Sequence, residues 1–481
     1  MSVKAEREDI AEIVARVLEK LERRLERQPG GRGVYSSVAD AVAAAERAQR
    51  KLEGLDFEKR EQLISSMREA ALANARPLSE MAVKETGLGR VEDKIMKNIL
   101  AARKTPGTED LCPRVFTGDH GLTLVEMAPY GVIASITPVT NPSETIICNA
   151  IGMIAAGNSV VFCPHPSARL TSVRTVELLH DAISRAGGPP DLVTILENPS
   201  IAVANELMRH PRVALVVATG GPGLVRAALT CGKKAIAAGA GNPPVVVDQT
   251  ADVVKAARDI LAGASFDNNL PCIAEKELVV VEEVADLLIQ RLQREGAYLI
   301  QGRDVDALTK LAFTPVSAKD GEEHGCSDQV SHWLVNKELV GKDAWVILER
   351  IGIEVSRDTR LVIFEADASH PFAREEQLMP VLPIIRARGT EEAMELAVRL
   401  EKGNRHTAVM HSKHVDNLTA LARAIKTTIF VKNAPSYAGI GAGGEGYCSF
   451  TIAGPTGEGL TSARSFARQR RCVLSEGFRI I

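Results

Sequence analysis

Val132-Ile133-Ala134-Ser135-Ile136 is a short, nearly unbroken apolar run, and Ser159-Val160-Val161-Phe162-Cys163 repeats it. Between them Thr145–Ala156 has the spacing of a helix, and Thr171–Ala186 is helical again. Leu192–Leu196, Val213–Ala218 and Val245–Asp248 continue the series of apolar runs, with helical stretches between. Strands apolar on both faces and separated by helices predict a parallel sheet covered on both sides. The fold class is α/β, doubly wound, with ligands expected at the carboxyl ends of the strands.

Outward from this core, Val38–Ala102 reads as helical and Leu122–Val125 as a strand before a Pro-Tyr-Gly turn. A second α/β region follows, with Leu278–Val281 and Leu361–Phe364 strand-like and Val284–Arg294 and Glu391–Leu400 helical. The tail from Gly439 to Gly459 is rich in Gly and Pro.

Composition narrows the function. The 481 residues carry 58 Lys+Arg against 61 Asp+Glu, a net charge of −3, so nothing is built to neutralise phosphate backbones and no nucleic-acid partner is expected. No apolar run approaches the roughly 18 residues of a membrane span. The eight cysteines form no C-x-x-C pair, and the first residues are charged rather than signal-like. A cytoplasmic chain with free thiols is the expectation. His406, His411 and His414 lie close in sequence, but without H-E-x-x-H or paired cysteines no metal is expected.

The front end stands apart. Residues 1–28 place Ile10, Ile13, Val14, Val17, Leu18, Leu21 and Leu25 on one face of a helix, and Gln28–Gly33 is a breaker and linker. Such a helix buries its stripe against its own enzyme, a symmetry mate or another protein. The mixed charges of its polar face, with no aromatic anchor, argue against a membrane.

Two loops sit where a doubly wound sheet exposes its crevice. Thr219-Gly220-Gly221-Pro222-Gly223 follows one strand and opens a helix, so it is either a cofactor contact or an ordinary turn. Cys163-Pro164-His165-Pro166 lies just past another strand, and is either a ligand contact or a stiff strand exit. Gly439-Ile-Gly-Ala-Gly-Gly444 matches G-x-G-x-x-G, but no helix start follows, so it reads as a tight loop. Cys272, after Pro271 and between the two α/β regions, is either a nucleophile or a packed thiol.

The segment SFDNNLPCIAEKE around Cys272 resembles the nucleophile loop of the aldehyde dehydrogenase superfamily. The likeness runs from about Val34 to Ile481 and includes ITPVTNPSETI at 136–146, AAGNSVVFCPHPSA at 155–168, AAGAGNPPVVVD at 237–248 and PTGEGLTSARSF at 455–466. It is greatest to the CoA-acylating branch, the propionaldehyde and acetaldehyde dehydrogenases of bacterial microcompartments.

The resemblance implies that Cys272 attacks the aldehyde, that hydride passes to NAD, and that the thioester is released by coenzyme A. By the same resemblance Asn141 and the backbone N–H of Cys272 hold the oxyanion. Thr137, Pro138, Cys163, Pro164, His165, Thr219, Gly220 and Gly221 meet the cofactor. Glu376 matches a ribose-binding glutamate, although Gln377-Leu378-Met379 departs from the pattern after it. His406 matches a histidine near the thiol, or is structural. The E-L-G-G-K segment of hydrolytic members, with its water-activating glutamate, is replaced by Ala237-Ala238-Gly239-Ala240-Gly241-Asn242, so Ala238 stands where that base would be. A thiol needs less help than water to become a nucleophile, which agrees with CoA as acceptor.

The implied layout is a helix and linker at 1–33 that resembles an encapsulation peptide for shell proteins, a nucleotide-binding domain at 34–248, a catalytic thiol domain at 249–435, and a return segment at 436–481. The last forms, with a strand near 118–130, an oligomerisation arm of a dimer or tetramer. The expected activity is CoA-acylating oxidation of propionaldehyde first and acetaldehyde second, inside a microcompartment. A hydrolytic dehydrogenase and an inactive shell-binding scaffold are the rivals.

Overall fold

A computed structural model describes residues 31–316 and 332–481; the helix read over residues 1–28 lies outside the described residues. The first half of the chain carries β1 (Val34–Tyr35), β2 (Arg114–Gly118), β3 (Gly121–Pro129), β4 (Val132–Ile136), β5 (Ser159–Cys163), β6 (Val193–Leu196), β7 (Val213–Thr219) and β8 (Lys234–Ala238). Six of them form a parallel sheet in the order β1-β6-β5-β4-β7-β8. The chain winds outward from β4 through β5 and β6, then returns to build β7 and β8 on the other side. The direction therefore reverses beside β4, where a doubly wound sheet opens its crevice.

Helices α1 (Val38–Leu52), α2 (Phe57–Ala73), α3 (Ala75–Thr86), α4 (Val91–Lys104), α5 (Pro142–Ala155), α6 (Arg169–Arg185), α7 (Ile201–Arg209) and α8 (Pro222–Leu229) flank this half. Every residue of α5 is buried, because it is enclosed by α4, α6 and the sheet. That explains its sequence, apolar on nearly all sides. Pro142 at its first position suits a helix start, since the missing N–H there has no intrahelical acceptor.

The second half carries β9 (Pro244–Val247), β10 (Glu277–Val281), β11 (Ala297–Leu299), β12 (Phe313–Val316), β13 (His332–Val335), β14 (Leu361–Glu365), β15 (Val381–Ala387), β16 (Thr407–His411), β17 (Ile429–Lys432), β18 (Ile452–Ala453), β19 (Gly459–Leu460) and β20 (Ala467–Ser475). Seven form a second parallel sheet, β11-β14-β15-β10-β9-β16-β17. The series of apolar runs places Val245–Asp248 in the first sheet, but β9 lies inside the second, paired with Glu277–Val280 on one side and Val409–His411 on the other. An apolar run marks a strand buried on both faces without marking the sheet it joins.

β2, β3 and β20 make a separate antiparallel sheet, in which Ala467–Ser475 pairs along Pro129 back to Gly121. All of β20 after Ala467 is exposed. The glycine tail holds no helix after Gly441, and the Lys104 ammonium donates to the carbonyls of Gly441 (2.7 Å) and Gly444 (3.0 Å), as a tight loop requires.

Candidate active site

The ends of β4, β5 and β7 open into one cavity of about 780 Å³. The loop after β4 supplies Thr137, Pro138 and Asn141, the loop after β5 supplies Cys163, Pro164 and His165, and that after β7 supplies Thr219, Gly220 and Gly221. Cys272 and Glu376 line the same cavity from the other half of the chain. Every residue assigned to chemistry or cofactor contact in the sequence thus borders one space, except His406. That residue is buried behind the thiol loop, where a Cβ added at Gly241 would lie 2.9 Å from its ring.

The thiol loop begins where α9 (Val253–Ala264) ends. Asp267, Asn268 and Asn269 then adopt φ of 47°, 54° and 63°, three left-handed residues in succession. Asp and Asn tolerate this region better than other side-chain-bearing residues, and here each is also tied down. Asp267 accepts from the Arg90 amide (2.7 Å), Lys94 (2.9 Å) and Lys97 (2.6 Å). Asn268 donates to the Gly341 carbonyl (3.0 Å), and Asn269 to the carbonyls of Ala264 and Glu275 (2.8 Å each). The Lys276 ammonium donates to the Asn269 carbonyl at 2.8 Å. A turn held on so many sides fixes where Cys272 enters the cavity.

Burial first, and the neighbouring Glu376 carboxylate second, push the Cys272 thiol up to about 12. Lys276, the residue's own backbone N–H and Lys97 pull the other way. Without ligands the sulfur therefore keeps its proton at neutral pH. Glu376 is itself raised by burial, against the opposing effects of Lys276 and the Gly241 N–H, which donates to it at 3.0 Å.

Asn141 is 5% exposed, and its Oδ1 accepts from the Lys97 ammonium at 2.7 Å. Its amide nitrogen donates to Thr140 at 3.2 Å and has a second hydrogen to offer. Ala238 is buried at the end of β8, and the Gly239 and Ala240 that follow carry no carboxylate into the cavity they line. Leu378, with φ of 53°, lines the wall in the segment that departs from the family pattern.

The crevice suits an extended nucleotide. Gly221 precedes α8, a Cβ there would meet nothing within 4 Å, and its N–H has no acceptor among the described residues. Gly220 differs, because its N–H is taken by the Ala238 carbonyl at 3.0 Å. The Thr137 hydroxyl is buried without a partner among the described residues. Among the described residues no group of three or more His, Cys, Asp or Glu side chains is placed to hold a metal ion.

His406 is neutral. Burial and the nearby Lys276 lower it to about 4, its Nδ1 meets the Thr407 hydroxyl at 2.9 Å, and its Nε2 has no partner among the described residues. Its backbone N–H donates to Glu401 at 3.0 Å.

Sequence reasoning missed the α7 residues Ile201, Ala204, Asn205 and Met208 that line one wall, and Leu270, Leu378 and Phe450. It also missed the buried lysines of α4. Lys94, Lys97, Asn98 and Ala101 share one buried helical face, but lysines at helical spacing carry no sign of burial in the sequence.

The aldehyde dehydrogenase family model matches residues 31–450, so the chain belongs to the aldehyde dehydrogenase family. It is 49% identical over 479 residues to the acetaldehyde dehydrogenase (acetylating) EutE of Salmonella typhimurium, covering 98% of this chain and 99% of that protein. It superimposes with a TM-score of 0.89 and 50% identity on the propionaldehyde dehydrogenase of Rhodopseudomonas palustris, solved with bound CoA and an acylated cysteine, over 94% of this chain and 100% of that one. The propionaldehyde dehydrogenase of the Clostridium phytofermentans fucose utilisation bacterial microcompartment is 49% identical, with a TM-score of 0.89 over 93% of this chain and 100% of that one.

Proposed function

We propose that this chain is a CoA-acylating aldehyde dehydrogenase that converts a short aldehyde, propionaldehyde before acetaldehyde, with NAD and coenzyme A into acyl-CoA and NADH. The observation that carries the reading is one cavity in which Cys272 and Asn141 meet while Ala238 stands where a hydrolytic enzyme needs a carboxylate. The Cys272 sulfur bonds to the aldehyde carbon and gives its proton up to solvent, and the carbonyl oxygen becomes an oxyanion. The Asn141 amide and the Cys272 backbone N–H are the donors that stabilise this charge. Gly221 and Thr137 would hold a nicotinamide nucleotide in the crevice, which would supply the hydride acceptor. Collapse of the oxyanion leaves a thioester on Cys272. The CoA sulfur then attacks the acyl carbon, the bond to the Cys272 sulfur breaks, and the proton given up by the CoA thiol returns Cys272 to its thiol form.

Apolar Leu270, Leu378 and Phe450, which line the same cavity as Cys272, suit a short alkyl chain. His406 supports the thiol loop from behind rather than touching substrate. Titrating CoA while following NADH tests the reading. Steady turnover should require CoA and yield acyl-CoA, fastest with the C3 member of a C2 to C4 aldehyde series. Turnover indifferent to CoA, with free acid as product, would establish the hydrolytic alternative.

The reading extends to assembly. Residues 1–28 are a docking tag for microcompartment shell proteins, supported by their amphipathic pattern and by the microcompartment origin of a relative. The β2-β3-β20 sheet joins copies into a homo-oligomer, supported by its exposed faces. No helix among the described residues is long and apolar enough to cross a membrane. Deleting residues 1–28 should leave activity intact and abolish co-purification with shell proteins; retained co-purification would reject the tag.

A further inference from the structure

Asn141 occupies the N-cap of α5, yet its side chain makes no capping bond. An N-cap asparagine ordinarily turns its oxygen toward the free amides of the first helical turn. Here Oδ1 is instead held 2.7 Å from the Lys97 ammonium on α4. An ammonium only donates, so the contact admits one orientation of the carboxamide: oxygen toward Lys97, nitrogen away from it. The alternative, with the nitrogen facing the ammonium, would set donor against donor.

Lys97 is itself held in place. It is fully buried, 2.6 Å from Asp267 and 3.2 Å from Glu144, while Lys94 shares Asp267 at 2.9 Å. Burial opposes its charge, but the two carboxylates outweigh that effect and keep the ammonium protonated. It also lies 6.0 Å from the ring centre of Phe450, which lines the cavity. The positive charge is therefore just behind the cavity wall, joined to it through a single amide.

We propose that Lys97 is a positioning residue for the acylation step: it locks the Asn141 carboxamide with its N–H toward the cavity and polarises that donor. This rests on the thioester reading of Cys272 and adds the group that makes Asn141 a donor rather than an acceptor. Without Lys97 the carboxamide keeps only its 3.2 Å contact with Thr140, whose hydroxyl can serve either end of an amide, so it can turn its oxygen toward the developing negative charge. Asp267 contributes from the other end, since one carboxylate fixes both Lys97 and the left-handed turn that carries the thiol.

The test is a two-residue cycle on the NADH burst with propionaldehyde and NAD in the absence of CoA, which isolates acylation. Lys97→Met should slow the burst by roughly 100-fold, the scale of losing one oxyanion donor. Asn141→Ala should do about the same, and the double variant should be no slower than Asn141→Ala alone. Alkylation of Cys272 by iodoacetamide should change far less, because displacement at a saturated carbon forms no oxyanion. A structural role for Lys97 would instead slow both reactions, and its loss would multiply with that of Asn141→Ala. Either that multiplication or an unimpaired Lys97→Met burst would overturn the proposal. Should Lys97→Met not fold, Lys97→Met with Glu144→Gln removes the carboxylate left unpaired, and the same outcomes apply with Asn141→Ala added to that background. A wild-type chain that never acylates Cys272 would overturn the thioester reading and this inference with it, whereas normal wild-type acylation that survives loss of Lys97 overturns this inference alone.

Discussion

Gly241 packs so closely under the thiol loop that a Cβ at this position would lie 2.6 Å from the carbonyl oxygen of Cys272. The obstructing atom is backbone, and the turn behind it is fixed by Asp267, Asn268 and Asn269, so it cannot yield cheaply. Gly241→Ala should lower stability by about 1–3 kcal/mol, as overpacking does, and slow the NADH burst at least tenfold by displacing the sulfur. Thermal unfolding and burst kinetics on the same preparation check both. An unchanged burst would mean that the loop is more pliant than its hydrogen bonds indicate.

Glu376 raises the Cys272 thiol because a neighbouring anion opposes formation of a second. Removing that charge lowers the thiol's pKa and increases the thiolate fraction at a given pH. Glu376→Gln should therefore react several-fold faster with iodoacetamide at pH 8. In the wild type the rate should rise about tenfold per pH unit up to pH 10, because burial still holds the thiol near 12. A plateau below pH 9 would contradict the burial argument.

His406 is lowered to about 4 in the folded chain, against about 6.5 unfolded. Its neutral form is the native one, so its contribution is complete above pH 6.5 and is lost as pH falls toward 4. Relative to His406→Gln, the wild type should lose about 1.4 kcal/mol of stability per pH unit across that window. Melting temperatures of the pair at pH 7, 6, 5 and 4 measure this difference directly, and other titrating groups cancel between them.

Asp267 receives both Lys94 and Lys97 with no exposure to solvent. Asp267→Asn leaves two buried ammoniums short of a counter-charge and should cost about 3–5 kcal/mol, the scale for breaking a buried pair. It should also slow the burst, through both the thiol turn and Lys97. A shift in melting temperature no larger than that of a surface substitution would contradict the account of this cluster.

What could be read from the sequence follows from where each determinant lies. β4, β5 and β7 were legible because strands buried on both faces are apolar throughout, and the loops after them fell on the cavity because a doubly wound sheet has one crevice. β9 was legible as a strand but not as a member of its sheet, since pairing with β10 and β16 is a long-range matter. Lys94 and Lys97 were invisible as site residues. Charges at helical spacing read as a solvated face, and only the approach of Asp267 and Glu144 from distant segments makes that face an interior. His406 drew attention through its resemblance to a family histidine, yet it borders the thiol loop and not the cavity. Ile201, Ala204 and Met208 of the α7 wall carried no signal of their own, being ordinary apolar residues placed by the fold.

The central claim is that one sulfur carries the acyl group until a second sulfur removes it. Mass analysis of the protein after incubation with propionaldehyde and NAD, without CoA and with an acid quench, tests it most directly. The account predicts a propionyl group on the peptide containing Cys272, built up in step with NADH and discharged to propionyl-CoA when CoA is added. NADH accumulating through many turnovers while Cys272 stays unmodified would contradict it.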